Sequence, residues 1–254
     1  MTSAGHFPLA THRDASITAA YVSTDTREQW QLNLSPSYSW NAEGAWGQNA
    51  NLSLTVRLST RITTTIGPAV GASRSKFQYV RDVADTTSAA FSGRRHVLAD
   101  LSQRQLTFDT RVNVTFSPTM TLEMYAKPFI ASEHYYEFKE FDAPREGAYG
   151  VYGRDRGTIA SSGPVTSYTI DPDGDGAASA FTIQNPNFNF RSLRSNAVFR
   201  WEYRPGLTLY VAWTQQRSGV ATIDDFDAGR DQRALFDARP DNIFLVKASW
   251  WTAG

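Results

Sequence analysis

Six consecutive residues in the second half of the chain have the types and spacing to hold a metal ion. Asp171-Pro172-Asp173-Gly174-Asp175-Gly176 sets carboxylates at positions 1, 3 and 5 of a short loop and a glycine at position 6, the arrangement that wraps a turn round calcium. Position 12 is Thr182, where the helix–loop–helix calcium motif carries a bidentate glutamate, so the ion would need carbonyls, waters or a carboxylate from another loop. A solvated Asp/Gly turn is the competing and favoured reading, because such residues form turns with no ligand at all. Asp171, Asp173 and Asp175 are thus candidate calcium ligands, and calcium is the one cofactor suggested. A second acidic group, Asp224, Asp225 and Asp227, either contributes to such a site or only wets a loop.

Other chemistry is sparse. His6, His12, His96 and His134 share no ligand spacing of the H-x-x-x-H kind, which argues against zinc. No G-x-S-x-G occurs, and a Ser–His pair whose members meet across strands cannot be read from linear order, so no catalytic residue is assigned. A non-enzymatic role is the leading expectation; the alternative is an envelope hydrolase with its site among the loops. The absence of cysteine removes disulfides, thiolate metal sites and cysteine nucleophiles. Basic and acidic residues balance at 25 each, so no overall field points to nucleic acid.

The residues that must position any such chemistry alternate with period two. In Phe190–Gln216, Leu193, Ser195, Ala197, Phe199, Trp201 and Tyr203 share one face and Ser192, Arg194, Asn196, Val198, Arg200 and Glu202 the other; Arg204-Pro205-Gly206 turns the chain, and Leu207, Leu209, Val211 and Trp213 resume the apolar face. The same alternation marks Trp30–Trp40, Leu52–Leu58, Ile62–Ile66, Leu106–Phe116, Met120–Lys127 and Phe244–Trp250. Ile17–Val22 reads as a short first strand, and Pro36 predicts a bulge or an interrupted ladder. Trp30 and Trp40 lie ten residues apart on one face, which for a tilted strand is on the order of 25 Å along a barrel axis, the height of a lipid-facing band.

Connections alternate too. Those near residues 24, 60, 118 and 205 are tight, whereas 72–95, 139–187 and 218–241 read as long polar loops, the second with room for short strands. Sorting of turns and loops to opposite ends is the habit of membrane barrels. In that reading Trp30, Trp40, Phe199, Trp201, Trp213 and Trp250 face lipid, while Arg111, Glu123, Lys127, Arg200 and Glu202 line the lumen, either as a solute track or as ion pairs that fill it. A soluble all-β binding domain, with the apolar face inside, is the alternative. Aromatics at 13% and seven tryptophans fit interfacial belts.

Four stretches together resemble the C-terminal barrel region of a bacterial outer-membrane family of unknown function: 104–129 (RQLTFDTRVNVTFSPTMTLEMYAKPF), 168–176 (YTIDPDGDG), 185–206 (NPNFNFRSLRSNAVFRWEYRPG) and 241–251 (DNIFLVKASWW). The resemblance covers most of residues 28–251. It implies an all-β, antiparallel, up-and-down transmembrane barrel in the bacterial outer membrane, in contact with its lipid. In that family the barrel usually follows a carbohydrate-binding module like family nine of those modules, which suggests transport or handling of glycans at the cell surface. The module is not in this chain. Residues 1–15 are expected to be a loop or disordered segment and 16–254 a partial barrel. Nine strands can be placed, an odd number where bacterial single-chain barrels are even, and no signal peptide is present. The expectation is therefore a C-terminal part of a larger barrel, whose N-terminal part is the missing partner, with no regular ladder between the first and last strands.

Overall fold

The computed structural model describes residues 15–25, 27–145 and 147–251. The expected segment 1–15 lies outside these except for Ala15. The strands are β1 (Ala15–Ala19), β2 (Val22–Ser23), β3 (Trp30–Asn41), β4 (Trp46–Ser59), β5 (Ile62–Ala84), β6 (Arg94–Ser117), β7 (Met120–Phe141), β8 (Tyr149–Val151), β9 (Thr158–Ser161), β10 (Ser167–Asp171), β11 (Phe181–Gln184), β12 (Phe188–Arg204), β13 (Leu207–Ala221) and β14 (Asp241–Trp250). Among the described residues one α-helix, α1 (Ala228–Asp237), lies between the last two, and a short 3-10 turn spans Ala89–Phe91. No described helix is long and apolar enough to cross a membrane.

The large sheet is antiparallel throughout its path β1-β3-β4-β5-β6-β7-β12-β13-β14, with β2 beside β3 and β8 beside β7; β9, β10 and β11 form a separate small sheet. Register carries the two-faced pattern from strand to strand. Trp30, Val56, Thr64, Val112, Met124, Ala197, Trp213 and Phe244 stand directly opposite one another in one row. One residue along, Gln31, Thr55, Thr65, Arg111, Tyr125, Asn196, Thr214 and Ile243 form the next row, on the other face. Directly opposite residues share a face, so an apolar face runs unbroken from β3 to β14 with a mostly polar face behind it.

Nothing among the described residues covers the apolar face of the lower strands: Trp30 is 50% exposed, Phe116 49% and Trp250 71%. The sheet is also open. β1 and β14 are its two edges, every residue of both is exposed, and no ladder joins them, as expected. Pro36 has the expected effect on one side only. Its carbonyl accepts the Ala20 N–H at 3.1 Å, but proline has no N–H to return, and the strand beside it divides there into β1 and β2. The β3–β4 ladder runs through unbroken.

Two of the expected loops are corrected by the structure. Residues 72–95 are mostly strand: β5 and β6 continue to a compact turn at 85–93, and register slips between Ser75 and Gln78 and between Tyr79 and Arg81 hide the period-two pattern. In 218–241, β13 extends to Ala221 and α1 follows, begun by Asp227, whose carboxylate accepts the Arg230 N–H at 2.7 Å. That Asp N-cap was a readable start signal. Residues 139–187 hold β8–β11, the short strands anticipated there.

At this loop end the protein has its core. Val97, Ala99, Phe138, Tyr152, Ile170 and Ile183 form one buried cluster, with Tyr135, Tyr168, Ile159 and Phe181 packed against it. β7 makes room by a bulge at Glu137, which has a φ of 49°, where β6 advances two residues and β7 three.

Candidate functional site

The residues expected to line a lumen do share the polar face. Arg111 lies 5.2 Å from the Tyr125 ring centroid, Tyr125 Oη donates to Asp109 at 3.0 Å, and Lys127 Nζ is 3.3 Å from the same carboxylate. Glu123 lies two residues along β7, opposite Asn113 and Val198. Arg200 and Glu202 pair with each other at 3.2 Å. Cation and anion alternate at close range here, which is the arrangement of ion pairs rather than of a field of one sign.

The candidate calcium residues are occupied with their own turn. The Asp171 carboxylate accepts the N–H groups of Asp173 and Gly174 at 3.4 and 3.0 Å, and Asp173 accepts that of Ala178 at 3.0 Å. Asp175 is exposed on the same turn. Among the described residues no three side chains of metal-ligating type converge. The geometry is that of an Asx turn.

The second acidic patch separates into three tasks. Asp227 caps α1, and Asp225 takes both oxygens to Arg230 Nη1 at 2.8 Å. Asp224 reaches across to the sheet, 3.0 Å from His134 Nδ1. His96 is likewise beside a carboxylate, with Nδ1 2.6 Å from Asp82. His6 and His12 lie outside the described residues.

Around Asp224 and His134 is a cleft of about 340 Å³, lined by Ser102, Arg104, Ser132, His134, Asp224, Asp225 and Phe226. Two ladders build its floor. Ser102 stands directly opposite His134, and Arg104 opposite Ser132, which in turn faces Asn189 on β12. Ser102 and Arg104 have the same parity on β6 as Leu106 and Phe108, so the cleft opens on the apolar face, just beyond its last large side chains towards the loop end. Sequence reading found His134 and Asp224 separately but not this meeting. Its parts lie about 30 and 90 residues apart along the chain, and only strand register and the return of the β13–α1 segment join them.

Above the cleft the charges are buried. Asp100, with a fully buried side chain, accepts from Arg74 and Lys76 at 2.7 Å each and from the fully buried Lys139. Burial alone would raise the Asp100 pKa; the hydrogen bonds from Lys139, Lys76 and Arg74 overcome it and hold the carboxyl below its usual range. Lys139 Nζ also lies 5.0 Å from the Tyr149 ring and 5.4 Å from Phe77. On the other side of the strand, Arg95 bridges Asp85 and Glu140, and Glu140 also takes Arg156. These are structural pairs: each charge has an opposite partner.

The description "domain of unknown function (DUF5916)" matches residues 8–252, so the chain belongs to that family. No curated protein and no solved structure matches it. The family description carries no activity and speaks neither to a barrel nor to a carbohydrate-binding module.

Proposed function

We propose that this member of the DUF5916 family forms part of the wall of a transmembrane β-barrel in a bacterial outer membrane, with its apolar face against lipid and its polar face towards the lumen. One observation carries the reading: an apolar face continuous over the long strands, ending in aromatics, that no other described residues cover. A soluble sandwich would need a second sheet about 10 Å away on that side, and the protein's own core lies elsewhere, at the loop end. Monomeric soluble proteins rarely expose contiguous apolar patches above a few hundred Å².

In this reading the tight turns, near residues 60, 118 and 205, face the periplasm. The small sheet β9–β11 and α1 sit at the cell surface. The free edges of β1 and β14 are closed by further strands of the same barrel, since each unpaired N–H or C=O in lipid costs several kcal/mol. The lumen role, whether passage of polar solutes or contact with glycans, falls to Arg111, Glu123, Lys127, Arg200 and Glu202 with Asp109. Their mutual pairing favours a packed polar interior over a wide channel.

The test is fluorescence of the full chain in vesicles whose lipids carry bromine at defined acyl depths. Trp201, Trp213 and Trp250 should be quenched, and the protein should need detergent to stay in solution. Unquenched tryptophans and a detergent-free monodisperse state would overturn the membrane placement.

A further inference from the structure

We propose that the cleft holding Arg104, Ser132 and Asp224 binds the headgroup of a membrane lipid that pairs a phosphate with a primary ammonium. The two walls of the cleft carry opposite charges that do not meet. Arg104 is exposed on the β6 side and forms no ion pair or side-chain hydrogen bond among the described residues. On the other side Asp225 is taken by Arg230, but the Asp224 side chain is 51% exposed and has no lysine or arginine beside it among the described residues. A plain anion would meet these carboxylates, and a plain cation would meet Arg104. A ligand with both signs a few ångströms apart suits the cleft.

Each half of the headgroup has a defined place. The nearest basic group to Asp224 is His134, with Nδ1 3.0 Å from the carboxylate oxygen. That nitrogen also accepts from the Asn187 amide at 3.4 Å, and Asn187 is held in this orientation because its Oδ1 accepts the Tyr135 N–H at 2.7 Å. Nδ1 is therefore an acceptor and the ring proton is on Nε2. Two acceptors 3.0 Å apart attract a donor with several N–H groups, and a primary ammonium has three. The phosphate belongs with Arg104 and Ser132, which stand directly opposite each other in the β6–β7 ladder. Ser132 is 3% exposed, lines the cleft, and has no partner for its hydroxyl among the described residues. A buried hydroxyl without a partner is costly; a phosphate oxygen satisfies it while the planar guanidinium takes two others.

The remainder of the ligand follows from where the cleft opens. Its volume of about 340 Å³ is that of a small ligand pocket. Immediately below it on the apolar face lie Leu106, directly opposite Val70, and Phe108; Val70 and Phe108 are 52% and 38% exposed. Acyl chains lying on these side chains bring their headgroup to Arg104. This assignment to a lipid rests on the membrane reading above; the match of charges does not.

The full chain in detergent is titrated with phosphatidylethanolamine, phosphatidylcholine and phosphatidylglycerol of identical acyl chains, one chain carrying a fluorophore, and binding is read by anisotropy. Phosphatidylethanolamine should bind at least fivefold more tightly than the other two. Arg104→Ala should weaken phosphatidylethanolamine and phosphatidylglycerol at least tenfold. Asp224→Asn should abolish the preference for phosphatidylethanolamine without weakening phosphatidylglycerol, a change of selectivity that a folding defect would not produce. Arg61→Ala, at the opposite end of the sheet, should bind as the unaltered protein does. Equal affinity for the three lipids, or a preference that survives both cleft substitutions, would overturn the site even if the tryptophans are quenched by brominated lipid and the membrane placement stands. Water-soluble glycerophosphoethanolamine, titrated by calorimetry, should bind at least tenfold more weakly than the lipid. Equal affinity would overturn the membrane source of the ligand.

Discussion

β6 passes through two regions that obey different rules. From Val97 to Leu101 five successive residues are buried, because β9–β11 and their connections cover one face while Phe77 and Tyr149 close over the other. From Leu106 to Phe116 the same strand alternates, with Arg111, Asn113 and Thr115 exposed on one face and Leu106, Val112 and Val114 half-buried on the other. The upper region is stabilised as a soluble core is, by packing and paired buried charges. The lower region is a single layer whose two faces differ, one apolar and the other mostly polar. A strand with protein on both faces loses its period; a strand between two solvents keeps it.

Perturbations should therefore separate the regions. The largest loss is expected from Asp100→Ala, which leaves Lys139 buried beside Lys76 and Arg74 with its main counter-charge gone. Removing one partner of a buried ion pair costs about 3–5 kcal/mol. The midpoint of urea unfolding should fall accordingly, while a polar-face pair such as Arg200–Glu202 should cost less than about 1 kcal/mol when broken. Equal losses would erase the distinction between the two ends.

Next in size is arginine on the face assigned to lipid. Phe199→Arg should destabilise the protein in bilayers by about 2–4 kcal/mol, and Asn113→Arg, on the polar face, should be mild. Folding titrations in lipid vesicles measure both. If Asn113→Arg proves as costly as Phe199→Arg, the two faces have been exchanged.

Asp227→Ala removes the α1 cap and should cost about 1 kcal/mol, confined to the loop end. Hydrogen exchange should show faster exchange in α1 with no change in β12 or β13. Propagation into the strands would mean that the cap and wall are one cooperative unit.

The smallest effect is acid sensitivity of the loop end. Asp85 is lowered to about 2, chiefly by the Thr87 hydroxyl that donates to it, with Arg95 adding to the effect. Its folded pKa lies below the unfolded value of about 3.9, so its contribution is complete above the unfolded pKa and is lost as pH falls through about 2. Thermal midpoints followed from pH 6 to pH 2 should drop less steeply in Asp85→Asn than in the unaltered protein. Parallel curves would remove Asp85 from the account.

The wall was legible because its physics is local. Leu106–Phe116, Met120–Lys127 and the hairpin about Pro205-Gly206 alternate where the structure alternates, and Trp30, Trp213 and Phe244 fall in one row as the period required. The N-terminal cap of α1 was also present in the sequence, as Asp227 three residues before Arg230, and was read as loop because the surrounding residues are polar. Residues 72–95 were misread for a different reason. The bulges near Lys76 and Val80 shift the period, and Arg74, Lys76 and Asp82 look like solvated loop residues although each is committed to a partner in the fold.

By itself the sequence determined the all-β class, the two-faced strands and the tight turns, since each depends on residues near one another along the chain. Only the tertiary structure decided that Asp171 and Asp173 close their own turn, that Lys139 is neutralised by Asp100, and that Ser102, His134 and Asp224 share a cleft. Those outcomes depend on register and on long returns of the chain. A shift of one residue along β6 would carry Ser102 to the opposite face from His134, while hardly altering the composition or periodicity from which the strands were read.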